Sequence, residues 1–207
     1  MRTHVTFVLD SSGSMEEIVD DTRGGFNSFL NDHRDGEGEA TVTLYDFNTT
    51  VNQVYEWYPI VEAQELTENN YTPGGRTALF DALTRAIDET AEYISELDSE
   101  QQPDNVVVVV LTDGKENASE TSQDVVKSRV EHRQETSDWE FVFIGANQDA
   151  ALTAESMGIE GKKSLDMTQG AKNAYESTSK VVSDVRTEGT TSGFDEEDRK
   201  KQEESEK

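Results

Sequence analysis

The sequence predicts an α/β fold: a Rossmann-like, open, mostly parallel sheet with one antiparallel edge strand and helices on both faces. Three observations predict it. Short apolar runs at 5–9, 106–111 and 139–144 alternate with longer stretches of helical periodicity, the pattern of strand–helix units. The run 106–111 is unbroken and rich in valine, as a central parallel strand buried on both faces requires. The stretches 40–47 and 51–58 are instead joined only by Asn48-Thr49-Thr50, short enough for a hairpin and hence for an antiparallel edge strand.

Each element follows in order. The first strand ends at Asp10. Ile18, Thr22, Phe26, Phe29 and Leu30 then recur at helical spacing, so a helix over 15–31 lies on the sheet with its N-terminus toward the loop after that strand. After the hairpin, Leu79, Leu83, Ala86, Ile87, Thr90, Ile94 and Leu97 line one face of a long helix, which Pro103-Asp104-Asn105 separates from the valine strand. Thr121-x-x-Asp124 has the form of a capping box ahead of a helix bearing Val125, Val126, Arg129 and Val130. The strand at 139–144, a short helix over 149–157, a short edge strand over 163–165 and a last helix carrying Ala171, Ala174, Tyr175, Thr178, Val181, Val182 and Val185 complete the pattern. From Thr187 onward Gly, Ser, Thr and charged residues dominate. The expected organisation is one domain over 1–186 and a disordered, charged tail over 187–207.

Composition narrows the function classes. The 207 residues carry 44 acids against 18 bases, a formal net charge of −26, and no cysteine. The excess is spread over the predicted polar faces, as at Glu16, Glu17, Asp20 and Asp21 or Asp88, Glu89, Glu92 and Glu96. A surface so acidic predicts a halophilic protein, because self-repulsion over such a charge is costly unless salt screens it. It also argues against nucleic-acid and membrane partners, which need basic patches. Disulfides and thiolate metal sites are excluded. Neither a signal-peptide pattern nor a membrane-length apolar run is visible, so the expected location is cytoplasmic.

Three segments carry the chemistry. Asp10-Ser11-Ser12-Gly13-Ser14 follows the first strand, Thr77 closes the loop Pro73-Gly74-Gly75-Arg76-Thr77, and Asp113 follows the valine strand in Leu111-Thr112-Asp113-Gly114. In open α/β sheets ligands bind beyond the carboxyl ends of the strands, where both aspartates fall. Two carboxylates and three hydroxyls make an oxygen-rich set suited to a hard divalent cation. The bland alternative is that these are ordinary turn and helix-cap residues.

Asp10-x-Ser12-x-Ser14, the distant Thr77 and Thr112-Asp113-Gly114 resemble the metal-ion-dependent adhesion site of von Willebrand factor A (VWA) domains, with all five positions filled. The likeness extends in element order from about Thr3 to Arg186. Gly24-Gly25-Phe26-Asn27-Ser28, Asn117 and Gly145-Ala146-Asn147 resemble the small cytoplasmic, stand-alone members. The resemblance implies Mg²⁺ or Mn²⁺ held directly by Ser12 and Ser14, by Thr77 directly or through water, and by Asp10 and Asp113 mainly through water. Hydroxyls offset little of the cation's charge, so a bound ion keeps an open position for the Asp or Glu of a partner protein. The loops around Asn48, 74–76, 115–117 and Asn147 would form the rim, with Arg76 and Lys115 as its notable bases. Resembling small members are associated with stress-response systems, and others are partners of AAA-type ATPases.

This reading is of a binding module and not an enzyme. Two rivals stand beside it: a purely structural metal site, and a metal-dependent phosphate-ester hydrolase. A haloacid-dehalogenase-type phosphatase would want Asp where Ser12 stands. Residues 158–164 lack the spacing of a phosphate loop. His4, His33 and His132 have no metal-ligand spacing and read as surface or strand residues, and a calcium loop beginning at Asn31 would end on Val42 instead of Glu. Raising salt from about 0.1 M to about 1 M, which shortens the screening length from ~10 to ~3 Å, should raise the melting midpoint of this chain. A midpoint that is flat or falling across that range would contradict a salt-adapted surface.

Overall fold

The computed structural model describes residues 1–145, 150–167 and 171–204. Six strands, β1 (Arg2–Asp10), β2 (Glu39–Phe47), β3 (Val51–Pro59), β4 (Asn105–Thr112), β5 (Glu140–Gly145) and β6 (Ser164–Asp166), form one sheet in the order β3-β2-β1-β4-β5-β6. All pairs are parallel except β2–β3. The strand order reverses between β1 and β4, so the loops after these two strands diverge at a crevice on the carboxyl edge.

Alternation along the strands divides the core. Val5, Phe7, Leu9, Val107, Val109 and Leu111 face α1 (Val19–Arg34) and α5 (Ala171–Glu188). Val8, Val106, Val108 and Val110 face α2 (Leu79–Glu96), α3 (Gln123–Ser137) and α4 (Ala150–Ser156). Both faces of β4 are thus buried, which is why its sequence is a continuous apolar run. Gly25 lets α1 approach α5 closely, since a Cβ there would lie 2.2 Å from the Tyr175 ring. Among the described residues no helix is long and apolar enough to cross a membrane.

Local departures from the sequence reading have physical causes. The first helix begins with a 3-10 turn over Gly13–Ile18 and becomes α-helical only at Val19, the tighter winding accompanying a fully buried Met15. The capping box expected at Thr121 does not form. Ser122 is the N-cap of α3 and makes no side-chain cap bond, while the Thr121 N–H donates instead to Asp81 of α2 at 2.8 Å. Val125 is 40% exposed, leaving Val126 and Val130 as the buried contacts of α3. The last strand starts at Ser164, and Lys163 lies in a 3-10 turn with its ammonium paired to the almost buried Glu140. Of the histidines read as surface or strand residues, His4 lies in β1 and His33 in α1, and both are buried. Desolvation lowers them to about 3 and about 4, so both are neutral near pH 7. The start of the short helix at Asp149 lies outside the described residues.

The edge strand β3 is irregular. Its pairing with β2 shifts register between Val42 and Leu44 and again between Leu44 and Tyr45. Trp57 has a positive φ of 54°, donates its N–H to Thr43 Oγ1, and is stacked between His4 and Tyr93.

The region beyond 186 differs from the expected solvated tail. α5 continues to Glu188, and a further helix, α6 (Glu196–Glu204), follows. Between them Phe194 inserts into the α1–α5 side of the core at 5% exposure, and Thr190 donates to the Glu140 carboxylate. Polar composition hid a single apolar anchor. Phe194→Ala should therefore cost about 3 kcal/mol in urea unfolding, whereas the same change in a solvated tail would leave the midpoint unmoved.

Candidate metal centre

β1 and β4 deliver the two aspartates. Asp10 is wholly buried, and its oxygens accept from the Ser12 N–H at 2.6 Å and the Thr112 hydroxyl at 2.5 Å. Its carbonyl accepts the Tyr71 hydroxyl. From Ser12 a line of oxygens leads outward: Ser12 Oγ lies 3.2 Å from Ser14 Oγ, and Ser14 donates to Asp113 Oδ1 at 2.5 Å. Thr77 is 3% exposed and enters from the other side. A Cβ on Gly114 would lie 2.6 Å from Thr77 Oγ1 and 3.2 Å from Asp10 Oδ2, so only glycine leaves these two oxygens facing one space. Asp10, Ser12, Ser14, Thr77 and Asp113 are thus brought to one place at the crevice.

The loops are tied by polar bonds. Gly13 N–H reaches Gly75 O, Gly74 N–H reaches Ser11 O, and Ala78 N–H reaches Asn48 O. Gly75 has a φ of +81°, the left-handed conformation that glycine accepts readily, whereas nothing crowds Gly74. Thr77 and Asn117 exchange two bonds: Thr77 N–H donates to Asn117 Oδ1 and Asn117 N–H to Thr77 O, each at 3.0 Å. Glu116 accepts from Ala118, Ser119 and Phe80, which places its carboxylate at the N-terminus of α2. Tyr71 was invisible in the sequence as a site residue, since an isolated Tyr carries no motif, and Glu116 was legible only as part of the 115–117 rim, not as the group that folds that loop. Ala146 and Asn147 lie outside the described residues.

Burial and neighbouring charge set the electrostatics of the two carboxyls. Burial raises Asp10 despite its hydrogen bonds. Burial also raises Asp113, opposed by the Ser14 bond and reinforced by the nearby charge of Asp10. Among the described residues no three His, Cys, Asp or Glu side chains cluster as a metal site. Any cation here would therefore meet more hydroxyls than carboxylates. The 3.2 Å between Ser12 Oγ and Ser14 Oγ is close to the ~3 Å edge of an octahedron with ~2.1 Å bonds. The donor chemistry fits Mg²⁺ or Mn²⁺.

Comparison with known proteins agrees with this architecture. The family model described as the von Willebrand factor type A domain matches residues 4–165, most of the chain. The chain belongs to the VWA family. No curated protein matches it. Among solved structures, this VWA domain is similar to an Asp-to-Ala mutant of the PilB minor pilin from Streptococcus sanguinis at 15% identity and a TM-score of 0.62, covering 90% of this chain and 63% of that one. The ArnB paralog VWA2 from Sulfolobus acidocaldarius gives 17% and 0.54, with 88% and 44% covered. The manganese-loaded TRAP protein of Plasmodium vivax gives 16% and 0.51, with 74% and 63% covered. The first matched structures are longer proteins, of which the chain spans only 63% or 46%.

The raised carboxyls set the sign of a pH effect. In chelator, Asp10 and Asp113 hold protons more tightly folded than unfolded. The contribution of these two groups to stability should be fully present below the ordinary carboxylate range near 4 and be lost as pH rises through their raised values, opposite in sign to that of the buried His4 and His33. At pH 7 in chelator, Asp113→Asn should raise the melting midpoint on the order of 2–4 °C, the shift that about 1 kcal/mol produces in a domain of this size. Saturating Mg²⁺ should reverse that ranking.

Proposed function

We propose that this VWA domain is a metal-dependent protein-binding module that captures an Asp or Glu side chain of a partner through a divalent cation. The observation that carries the reading is the convergence of three hydroxyls and two carboxylates at the carboxyl ends of β1 and β4. Ser12, Ser14 and Thr77 would hold the cation, with Asp10 and Asp113 balancing its charge. A bound Mg²⁺ or Mn²⁺ would supply a Lewis-acidic position open to an external carboxylate.

The chain's own residues do the rest. Tyr71 and Thr112 fix Asp10, Asn117 fixes Thr77, and Gly114 keeps space between them. A binding role is preferred over phosphate-ester hydrolysis because both Asp10 oxygens accept protein hydrogen bonds, which leaves neither placed as a general base. A structural cation that merely joins the loops is the second reading, favoured by how closely those loops are already tied.

Partners of the kinds associated with resembling small members, AAA-type ATPases and stress-response proteins, are the candidates to examine first. We place the module in a salt-rich host on the strength of its charge, and its expected cytoplasmic location remains part of this proposal.

Three measurements separate the readings. Mg²⁺ at about 100 times its dissociation constant should stabilise the protein by ~2.7 kcal/mol, and Asp10→Ala should abolish that gain. Acidic-peptide binding should appear with Mg²⁺ and vanish in chelator and in Asp10→Ala; equal affinity in all three refutes a metal bridge. Metal-dependent melting without metal-dependent binding would select the structural reading, and ester turnover lost in Asp113→Ala would select the hydrolase.

A further inference from the structure

On a surface with 44 acids and 18 bases, a base readily finds a carboxylate. Most do, as Arg2 with Glu39, Arg85 with Glu89, Arg129 with Asp88 and Lys180 with Asp195. Arg76 and Lys115 do not. Both are exposed, and among the described residues neither lies within ion-pair distance of an acid.

They stand on the two loops that meet at the hydroxyl cluster. Arg76 immediately precedes Thr77, and its backbone N–H is anchored on Thr49 Oγ1 at 2.9 Å. Lys115 immediately follows Gly114, and the Thr77–Asn117 bonds hold the two loops together. The neighbouring Glu116 carboxylate is occupied by the amides of Phe80, Ala118 and Ser119. The other flank is acidic: a hollow of about 430 Å³ is lined by Gly13, Ser14, Glu16, Glu17 and Asp113. Asp113 also lines a groove of about 310 Å³ on the opposite flank, together with Lys115, Phe80 and Phe143. The crevice is therefore polarised across Asp113.

An acidic partner approaching a chain of −26 is repelled at long range, and only a local reversal of sign admits it. We propose that the site selects partner segments bearing two neighbouring carboxylates, one directed to the hydroxyl cluster and the second taken by Arg76 and Lys115. This rests on the metal-bridge reading above. The same polarity directs any positive group of the partner toward Glu16 and Glu17.

The test uses two pools of short, otherwise neutral peptides, one with a single Glu and one with a second Glu within three positions of the first. Binding is measured to the full chain with Mg²⁺ and with chelator, in low and in molar salt. The two-Glu pool should bind more tightly, and its advantage should shrink in molar salt. Arg76→Gln and Lys115→Gln should each weaken its binding by about two- to fivefold, the range of exposed charge pairs, mainly through association rate, and leave the one-Glu pool unchanged. Cation-dependent binding that ignores the second Glu, or that falls equally for both pools in the variants, overturns this inference alone. Binding that persists in chelator, or is absent with Mg²⁺, overturns the metal bridge as well.

Discussion

A carboxylate with no exposure to water, Asp10, sets the terms for the carboxyl edge of this sheet. Burying a charge is tolerated only when its oxygens are hydrogen-bonded or paired. Here the partners come from Ser12 and from Thr112 at the end of the adjacent strand, while Tyr71 holds the same residue by its carbonyl. Three segments distant in sequence are thereby drawn to one point. The remaining oxygens of the centre, on Ser14, Thr77 and Asp113, are arranged around that fixed residue.

The second layer is as organised as the first. Thr77 is positioned by Asn117, and the loop carrying Asn117 is folded around Glu116, whose carboxylate also accepts the Phe80 amide near the start of α2. Asp81 of that helix returns the favour by accepting the amides of Glu120 and Thr121. Site oxygens, helix terminus and loop form one continuous polar network. Such a network rigidifies what it satisfies, so the hydroxyls need little reordering to receive a ligand.

The sheet was legible because strand periodicity is local: the valine run could hardly be anything but a strand buried on both faces, and a three-residue link could only join antiparallel neighbours. The five oxygen-bearing residues were legible because they sit at strand ends and helix starts. What the sequence concealed depends on long-range contact. Tyr71 meets Asp10 across 61 positions, and Thr121 turned from capping its own helix to serve Asp81. Phe194 lies in a stretch whose polarity predicts disorder, yet one aromatic ring fixes that stretch to the core. The histidines read as surface or strand residues, and His4 does lie in β1, but no local signal showed that it would stack under Trp57.

The irregular edge strand has its own consequence. A regular outer strand offers unpaired amides and carbonyls to the edge of a second molecule. Charge repulsion between copies at −26 opposes such pairing in dilute buffer, but concentrated salt removes that protection. The register shifts, the left-handed Trp57 and the terminal Pro59 deform the strand in a way no electrolyte can neutralise. Steric irregularity of this kind disfavours edge-to-edge pairing whether or not the charges are screened.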